Sequence, residues 1–212
     1  VLSAEHVRQV LRQVEGCRVI NGYGPTENTT FTCCYRMERE TEVGQSVPIG
    51  RPIANTQVYV LDERQELVGI GVKGELYIGG DGLARGYCNR AELTAEKFVP
   101  HPYSAVGGER LYRTGDVVRY RATGAIEFVG RRDEQVKIRG YRVEPGEIEQ
   151  ALREHPGVLD VAVLVLADAY GDKRIVAYTV PERDEGLTLN ELNSFLKEKL
   201  PGYMMPSALV NL

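Results

Sequence analysis

Between Val47 and Val129 the apolar residues come in short runs, each closed by residues that bend the backbone, and this rhythm limits the middle of the chain to strands and turns. Gln57-Val58-Tyr59-Val60-Leu61 runs into a polar turn at Asp62–Gln65. Glu75-Leu76-Tyr77-Ile78 runs into Gly79-Gly80-Asp81-Gly82. Asp116–Tyr120 is followed by a turn at Ala122-Thr123-Gly124 and by Ala125–Val129. β-Branched and aromatic side chains pack well on a pleated surface, whereas Gly, Asp and Asn supply the turns. Regularly spaced short strands of this kind predict a small β-barrel or sandwich over residues 47–131.

The flanks read differently. Ser3 can cap a helix in which Val7, Val10, Leu11 and Val14 recur at helical spacing before Gly16. Cys17-Arg18-Val19-Ile20 then reads as a short buried strand, delivering the chain into a loop at Asn21-Gly22-Tyr23-Gly24-Pro25. In open α/β sheets ligands bind at the carboxyl ends of strands, so topology alone makes this loop a candidate site. A domain boundary falls near 131–134. Beyond it, Gln135–Arg139 alternates as a half-exposed strand. Pro145 opens a helix with Ile148, Ala151 and Leu152 on one face, and Val158–Leu166 and Ile175–Val180 are apolar strands. Thr188 and Glu191 form a capping box ahead of Leu192, Phe195, Leu196 and Leu200. The class is therefore α+β: the end of an α/β portion (1–46), a barrel-like portion (47–131) and a compact α+β unit (132–212).

Composition narrows the functions. With 212 residues, a net charge of −4 and no apolar run long enough for a bilayer, the chain reads as a cytoplasmic globular protein that neither spans a membrane nor carries a strong charge bias. The four cysteines, Cys17, Cys33, Cys34 and Cys88, lack zinc-ligand spacing and read as reduced thiols. The basic run Gly130–Arg142 could form an anion-binding ribbon. Its interspersed acids and single aromatic, Tyr141, argue against nucleic acid.

Three segments offer chemistry. Asn21–Glu27 (NGYGPTE) places an aromatic face, backbone amides, a hydroxyl and a carboxylate within one loop. An aromatic stacks on a base, a Thr hydroxyl and N–H groups hold phosphate oxygens, and a carboxylate holds Mg²⁺. The bland alternative is a Gly-Pro turn with an exposed Glu. Gly79–Tyr87 lacks both the spacing of a dinucleotide loop and a following helix, so it reads as a tight β-connection. Tyr112–Asp116 (YRTGD) puts an acid after a Gly turn, where a carboxylate can accept two hydrogen bonds from a ribose diol.

These segments, with Gly74–Tyr87 (GELYIGGDGLARGY), Gly130–Glu149 (GRRDEQVKIRGYRVEPGEIE) and Leu200–Pro206 (LPGYMMP), follow the order and spacing of the later core motifs of nonribosomal peptide synthetase adenylation domains. The chain resembles the C-terminal part of such a domain over nearly its whole length. The resemblance implies an ATP-dependent ligase that forms an aminoacyl-adenylate and loads it onto the phosphopantetheine of a peptidyl carrier protein. It places Tyr23 on adenine with Asn21 and Gly22 along the nucleotide, Thr26 on the α-phosphate and Glu27 on Mg²⁺. Asp116 and Arg131 would hold the ribose, with Phe128 beside the nucleoside. Asp133 would be the hinge of a small lid domain, and Gly140 the place where the phosphopantetheine arm approaches. Gly22, Thr30 and Phe31 fall in the amino-acid pocket and resemble pockets for aliphatic side chains such as valine's.

Two family features have no counterpart here: the phosphate loop with its Lys, expected before residue 1, and the lysine of the last core motif, expected beyond Leu212. The expectation is therefore a fragment that needs the N-terminal part of its own domain, exposes an apolar face and edge near its start, and does not adenylate alone. The competing readings are a non-catalytic nucleotide- or carrier-binding module and a piece of an acyl-CoA or aryl-acid ligase.

Overall fold

The Ser3 side chain accepts a hydrogen bond from the His6 amide, and the helix it caps, α1, runs Ala4–Gln13. In this computed structural model residues 2–133, 135–138, 141–167, 173–182 and 186–212 are described. The chain divides into two compact units at the junction between Arg132 and Asp133.

In the first unit, β1 (Val19–Tyr23), β2 (Cys33–Met37) and β3 (Arg51–Pro52) form an antiparallel sheet in that order, with Tyr23 opposite Cys33. α1 contributes Val7 to a small core with Met37, Val43 and Val47. The strand expected to be buried at residues 17–20 instead begins at Val19, continues through Asn21 and Gly22 to Tyr23, and leaves Ile20 60% exposed. Val19 packs on the small core beneath α1, whereas Ile20 points to the opposite face of β1, which the described residues leave largely uncovered. Val10 on α1 and Val14, its C-cap, are likewise exposed.

The middle of the chain forms a five-stranded antiparallel sheet of β4 (Thr56–Leu61), β5 (Gly74–Gly80), β6 (Phe98–Pro100), β7 (Arg110–Tyr120) and β8 (Ile126–Arg131). The order is β4-β5-β7-β6, with β8 also on β7, so the sheet is an open half-barrel rather than a closed one. Its core joins Val60, Leu76, Ile78, Val118 and Ile126 to Cys33 and Ile49, and thereby fastens the first sheet to the second. A helix that the strand rhythm concealed, α2, spans Ala91–Lys97. It has no side-chain cap and buries none of its residues, so it left no apolar stripe to read.

The second unit holds the hairpin β9 (Val136–Ile138) and β10 (Tyr141–Val143), then α3 (Pro145–Arg153), β11 (Val158–Ala167), β12 (Lys173–Pro181), α4 (Leu189–Lys197) and β13 (Ala208–Asn211). β11 and β12 pair antiparallel, and β13 adds parallel to β12. The reciprocal capping box is present: Glu191 N–H donates to Thr188 Oγ1 at 3.3 Å while Thr188 N–H donates to Glu191 Oε2 at 2.8 Å. Ile148, Leu152, Leu192 and Leu196 are fully buried with Val143, Val163 and Ala177. Gly140 lies outside the described residues.

Candidate nucleotide site

The turn between β1 and β2 is drawn tight by a bond from the Thr32 amide to the Tyr23 carbonyl at 2.7 Å. A methyl on Gly24 would fall 2.6 Å from the Thr30 carbonyl oxygen, which explains why only glycine fits there. Asn21 Nδ2 donates to the Pro48 carbonyl at 2.7 Å and so fixes the strand's far face. These bonds aim Tyr23 across the fold. Its hydroxyl donates to Asp116 Oδ2, and its ring packs against the same core that Phe128 joins.

Asp116 was expected just after a Gly turn at a strand start, but β7 is one continuous strand of 11 residues. Gly115, with φ +76°, sits in a β-bulge within it. From the bulge the carboxylate points to Tyr23 on one oxygen. On the other it meets Arg131, whose Nη1 donates to Oδ1 at 2.5 Å and whose Nη2 donates to the Thr114 carbonyl at 3.0 Å. Burial, and next the Asp116 charge, push the Tyr23 hydroxyl well above the ordinary phenol range, so it remains a donor. Asp116 and Arg131 are cross-strand neighbours on β7 and β8.

Glu27 lies on a single 3₁₀ turn, Thr26–Asn28. The alternative of an ordinary turn with an exposed acid fails here, since Glu27 is only 8% exposed. Its carboxylate accepts from the Tyr87 hydroxyl at 2.6 Å, and its carbonyl accepts from the Ala84 amide at 2.8 Å. Burial, then the bond to Glu27, hold the Tyr87 phenol far above its usual range. Thr26 is exposed beside it. Phe31 is half exposed, and its ring lies so close over Gly22 that a methyl there would come within 2.5 Å of Cε1. Thr30 is exposed next to it. Asp133 is the first residue of the second unit.

The structure thus places Tyr23 and Phe128 against one core, joins Tyr23 and Arg131 through Asp116, and pairs Gly22 with Phe31. It also reveals partners that motif reading missed. Tyr87 closes the Gly79–Tyr87 connection onto Glu27. The buried Glu75 accepts from Arg113 Nε at 3.0 Å, the Gly115 amide at 3.1 Å and Arg132 Nη1 at 3.3 Å. Their signal was present, since Glu75 and Tyr87 both belong to the quoted Gly74–Tyr87 segment, but their partners lie 38 to 60 positions away.

Comparison with known proteins settles the family. Residues 1–88 match the AMP-binding enzyme model and residues 147–212 match the AMP-binding enzyme C-terminal domain model. The chain belongs to the AMP-binding enzymes. Within these adenylate-forming ligases it falls with the adenylation domains of nonribosomal peptide synthetases. It is 58% identical over 212 residues to a linear gramicidin synthase of Brevibacillus parabrevis, a match covering 100% of this chain and 3% of that protein. It is 49% identical over 210 residues to bacitracin synthase 1 of Bacillus licheniformis, covering 99% of this chain and 4% of that one. Among solved structures, PA1221, a nonribosomal peptide synthetase protein containing adenylation and PCP domains, superposes with a TM-score of 0.81 at 39% identity, over 100% of this chain and 41% of its own. The Vibrio cholerae adenylation domain AlmE, in complex with glycyl-adenosine-5′-phosphate, superposes at 0.84 with 29% identity, over 100% of this chain and 40% of its own. This AMP-binding chain therefore spans a few per cent of the curated relatives it matches and about two fifths of these solved ones.

Proposed function

We propose that this chain furnishes the nucleotide-holding part of an ATP-dependent amino-acid-activating site, whose product passes to the phosphopantetheine thiol of a peptidyl carrier protein. The observation that carries the reading is the Tyr23–Asp116–Arg131 cluster, in which residues from three motifs, 93 and 15 positions apart, converge on one carboxylate. Asp116 is the acceptor for the ribose hydroxyls, with Arg131 orienting it and reaching the ribose. Tyr23 stacks on adenine, with Asn21, Gly22 and Phe128 along the nucleoside, and the exposed Thr26 hydroxyl meets the α-phosphate. That AlmE was solved with an aminoacyl-type adenylate supports this assignment.

In the reaction the substrate carboxylate attacks the α-phosphorus of ATP, the bond to the bridging oxygen breaks, and pyrophosphate leaves. The carrier thiol then attacks the acyl carbon and AMP leaves. Such chemistry asks chiefly for positioning and charge neutralisation. Glu27 suits Mg²⁺, which takes one or two carboxylates together with phosphate oxygens rather than a cage of side chains. Bound there, Mg²⁺ would neutralise phosphate charge, while Tyr87 orients the carboxylate that holds it.

Gly22, Thr30 and Phe31 form part of a wall for an aliphatic side chain. Asp133, at the junction of the units, serves as the hinge, and Gly140 serves as the approach for the phosphopantetheine arm. The segment works with the remainder of its adenylation domain, in the cytoplasm, with no membrane or nucleic-acid partner. No helix among the described residues is long and apolar enough to cross a membrane. Amino-acid-dependent ATP–pyrophosphate exchange tests the reading. A complete adenylation domain containing these residues is expected to catalyse it and the isolated 212 residues are not. Exchange by the isolated chain above background would overturn the division of labour.

A further inference from the structure

Glu75 is a buried carboxylate on β5 that no step above uses. Opposite it the two strands fall out of step. Glu75 pairs with Val117 and Tyr77 with Arg113, so one residue of β5 faces three of β7. The extra residues are Thr114, Gly115 and Asp116 less the one that a regular ladder would hold, and their polar groups need partners away from that ladder. Glu75 supplies the central one: the Gly115 amide donates to its Oε1 at 3.1 Å, beside Arg113 Nε on the same oxygen at 3.0 Å. Thr114 Oγ1 closes the bulge by donating to the Leu76 carbonyl at 2.7 Å and accepting from the Asp116 amide at 2.9 Å. On its other oxygen Glu75 takes Arg132 Nη1 at 3.3 Å, while the Arg132 amide donates to the Gly115 carbonyl at 2.9 Å. Arg132 is the last residue of the first unit.

We propose that Glu75 is a positioning residue, the anchor that sets the bulge aiming Asp116 at the ribose and that ties down the arginine ending the first unit. The proposal rests on the reading of Asp116 as the ribose acceptor. Without the Glu75 charge, Arg113 and Arg132 lose their shared counter-ion, Arg132 keeping only the exposed Glu63 at 3.1 Å, and the Gly115 amide is left with a neutral acceptor in place of a charged one, so the peptide that orients Asp116 is held less firmly. A neutral replacement keeps the volume of the side chain and removes that counter-ion.

The test uses a complete adenylation domain containing these residues and compares kcat/KM for ATP and 2′-deoxyATP in pyrophosphate exchange. Asp116→Asn serves as the reference for lost ribose recognition. Glu75→Gln is expected to lower the preference for ATP by about tenfold, the scale of a hydrogen bond to a charged group, with Glu75→Gln/Asp116→Asn no worse than Asp116→Asn alone. A wild-type preference in folded Glu75→Gln alongside a lost preference in Asp116→Asn overturns this proposal alone. A preference kept in both variants overturns the ribose reading and this proposal with it. Should Glu75→Gln fail to fold, Glu75→Asp, which keeps the charge but withdraws it by one methylene, decides on the same criterion.

Discussion

Gly22→Ala is the most informative single perturbation of the proposed amino-acid wall. The added methyl carbon would stand 2.5 Å from Phe31 Cε1 and 2.7 Å from Cδ1, closer than nonbonded carbons approach. Something must move, and the ring is 50% exposed, whereas β1 is pinned through Asn21 to Pro48 and through Tyr23 to Thr32. The ring therefore rotates, at a cost of about 0.5–1.5 kcal/mol if it leaves its rotamer well, and the fold survives. The wall is displaced by about the width of a methyl group. One methylene in an apolar pocket is worth about 1–3 kcal/mol, or roughly 10- to 200-fold in kcat/KM, so the preference between valine and alanine should move by about tenfold or more. Amino-acid-dependent pyrophosphate exchange on a complete domain measures it, and adding Phe31→Ala should restore room for the methyl and reverse the change. A folded Gly22→Ala domain whose preference stays within about twofold of wild type would refute the pairing of Gly22 and Phe31 as a substrate wall.

Two other features make sharp expectations. Burial alone would raise the Glu127 carboxyl, but hydrogen bonds from Arg121, Ser46 and Arg119 outweigh it and bring the group from 4.5 down to about 2. A carboxyl lowered on folding stabilises above its unfolded value and loses that contribution as pH falls through its folded one. Glu127→Gln should therefore flatten the loss of denaturant stability between pH ~4.5 and ~2, worth about 3 kcal/mol at most, and an unchanged acid limb would argue against it. In the second unit, Thr188→Ala removes the capping box of α4 and should lower the opening free energy of that helix by about 1 kcal/mol, read from hydrogen exchange of its amides.

What the sequence showed clearly was whatever is decided locally. Ser3, Pro145 and the Thr188–Glu191 pair mark helix starts because capping involves residues within one turn. The strand at 56–61 followed from its β-branched and aromatic run and the polar turn that closes it. Resemblance in short motifs, rather than local propensity, singled out Tyr23, Glu27, Asp116 and Arg131, and the structure brings Tyr23 and Arg131 together on Asp116. What stayed hidden depends on distant partners. The 11-residue β7 looked interrupted because Gly115 resembles a turn until Glu75, 40 positions away, is seen to satisfy its amide. Glu27 looked exposed until Tyr87, 60 positions on, covered it. α2 buries nothing, and β13 is held by its parallel pairing with β12 rather than by any pattern of its own.

The measurement that bears most directly on the central claim is a structure of a complete adenylation domain containing these residues, with AMP and Mg²⁺ bound. Both ribose hydroxyls are expected at about 2.6–3.2 Å from the Asp116 carboxylate, with adenine against the Tyr23 ring. A nucleotide seated elsewhere, with Asp116 still held by Tyr23 and Arg131 and no ribose contact, would contradict the account.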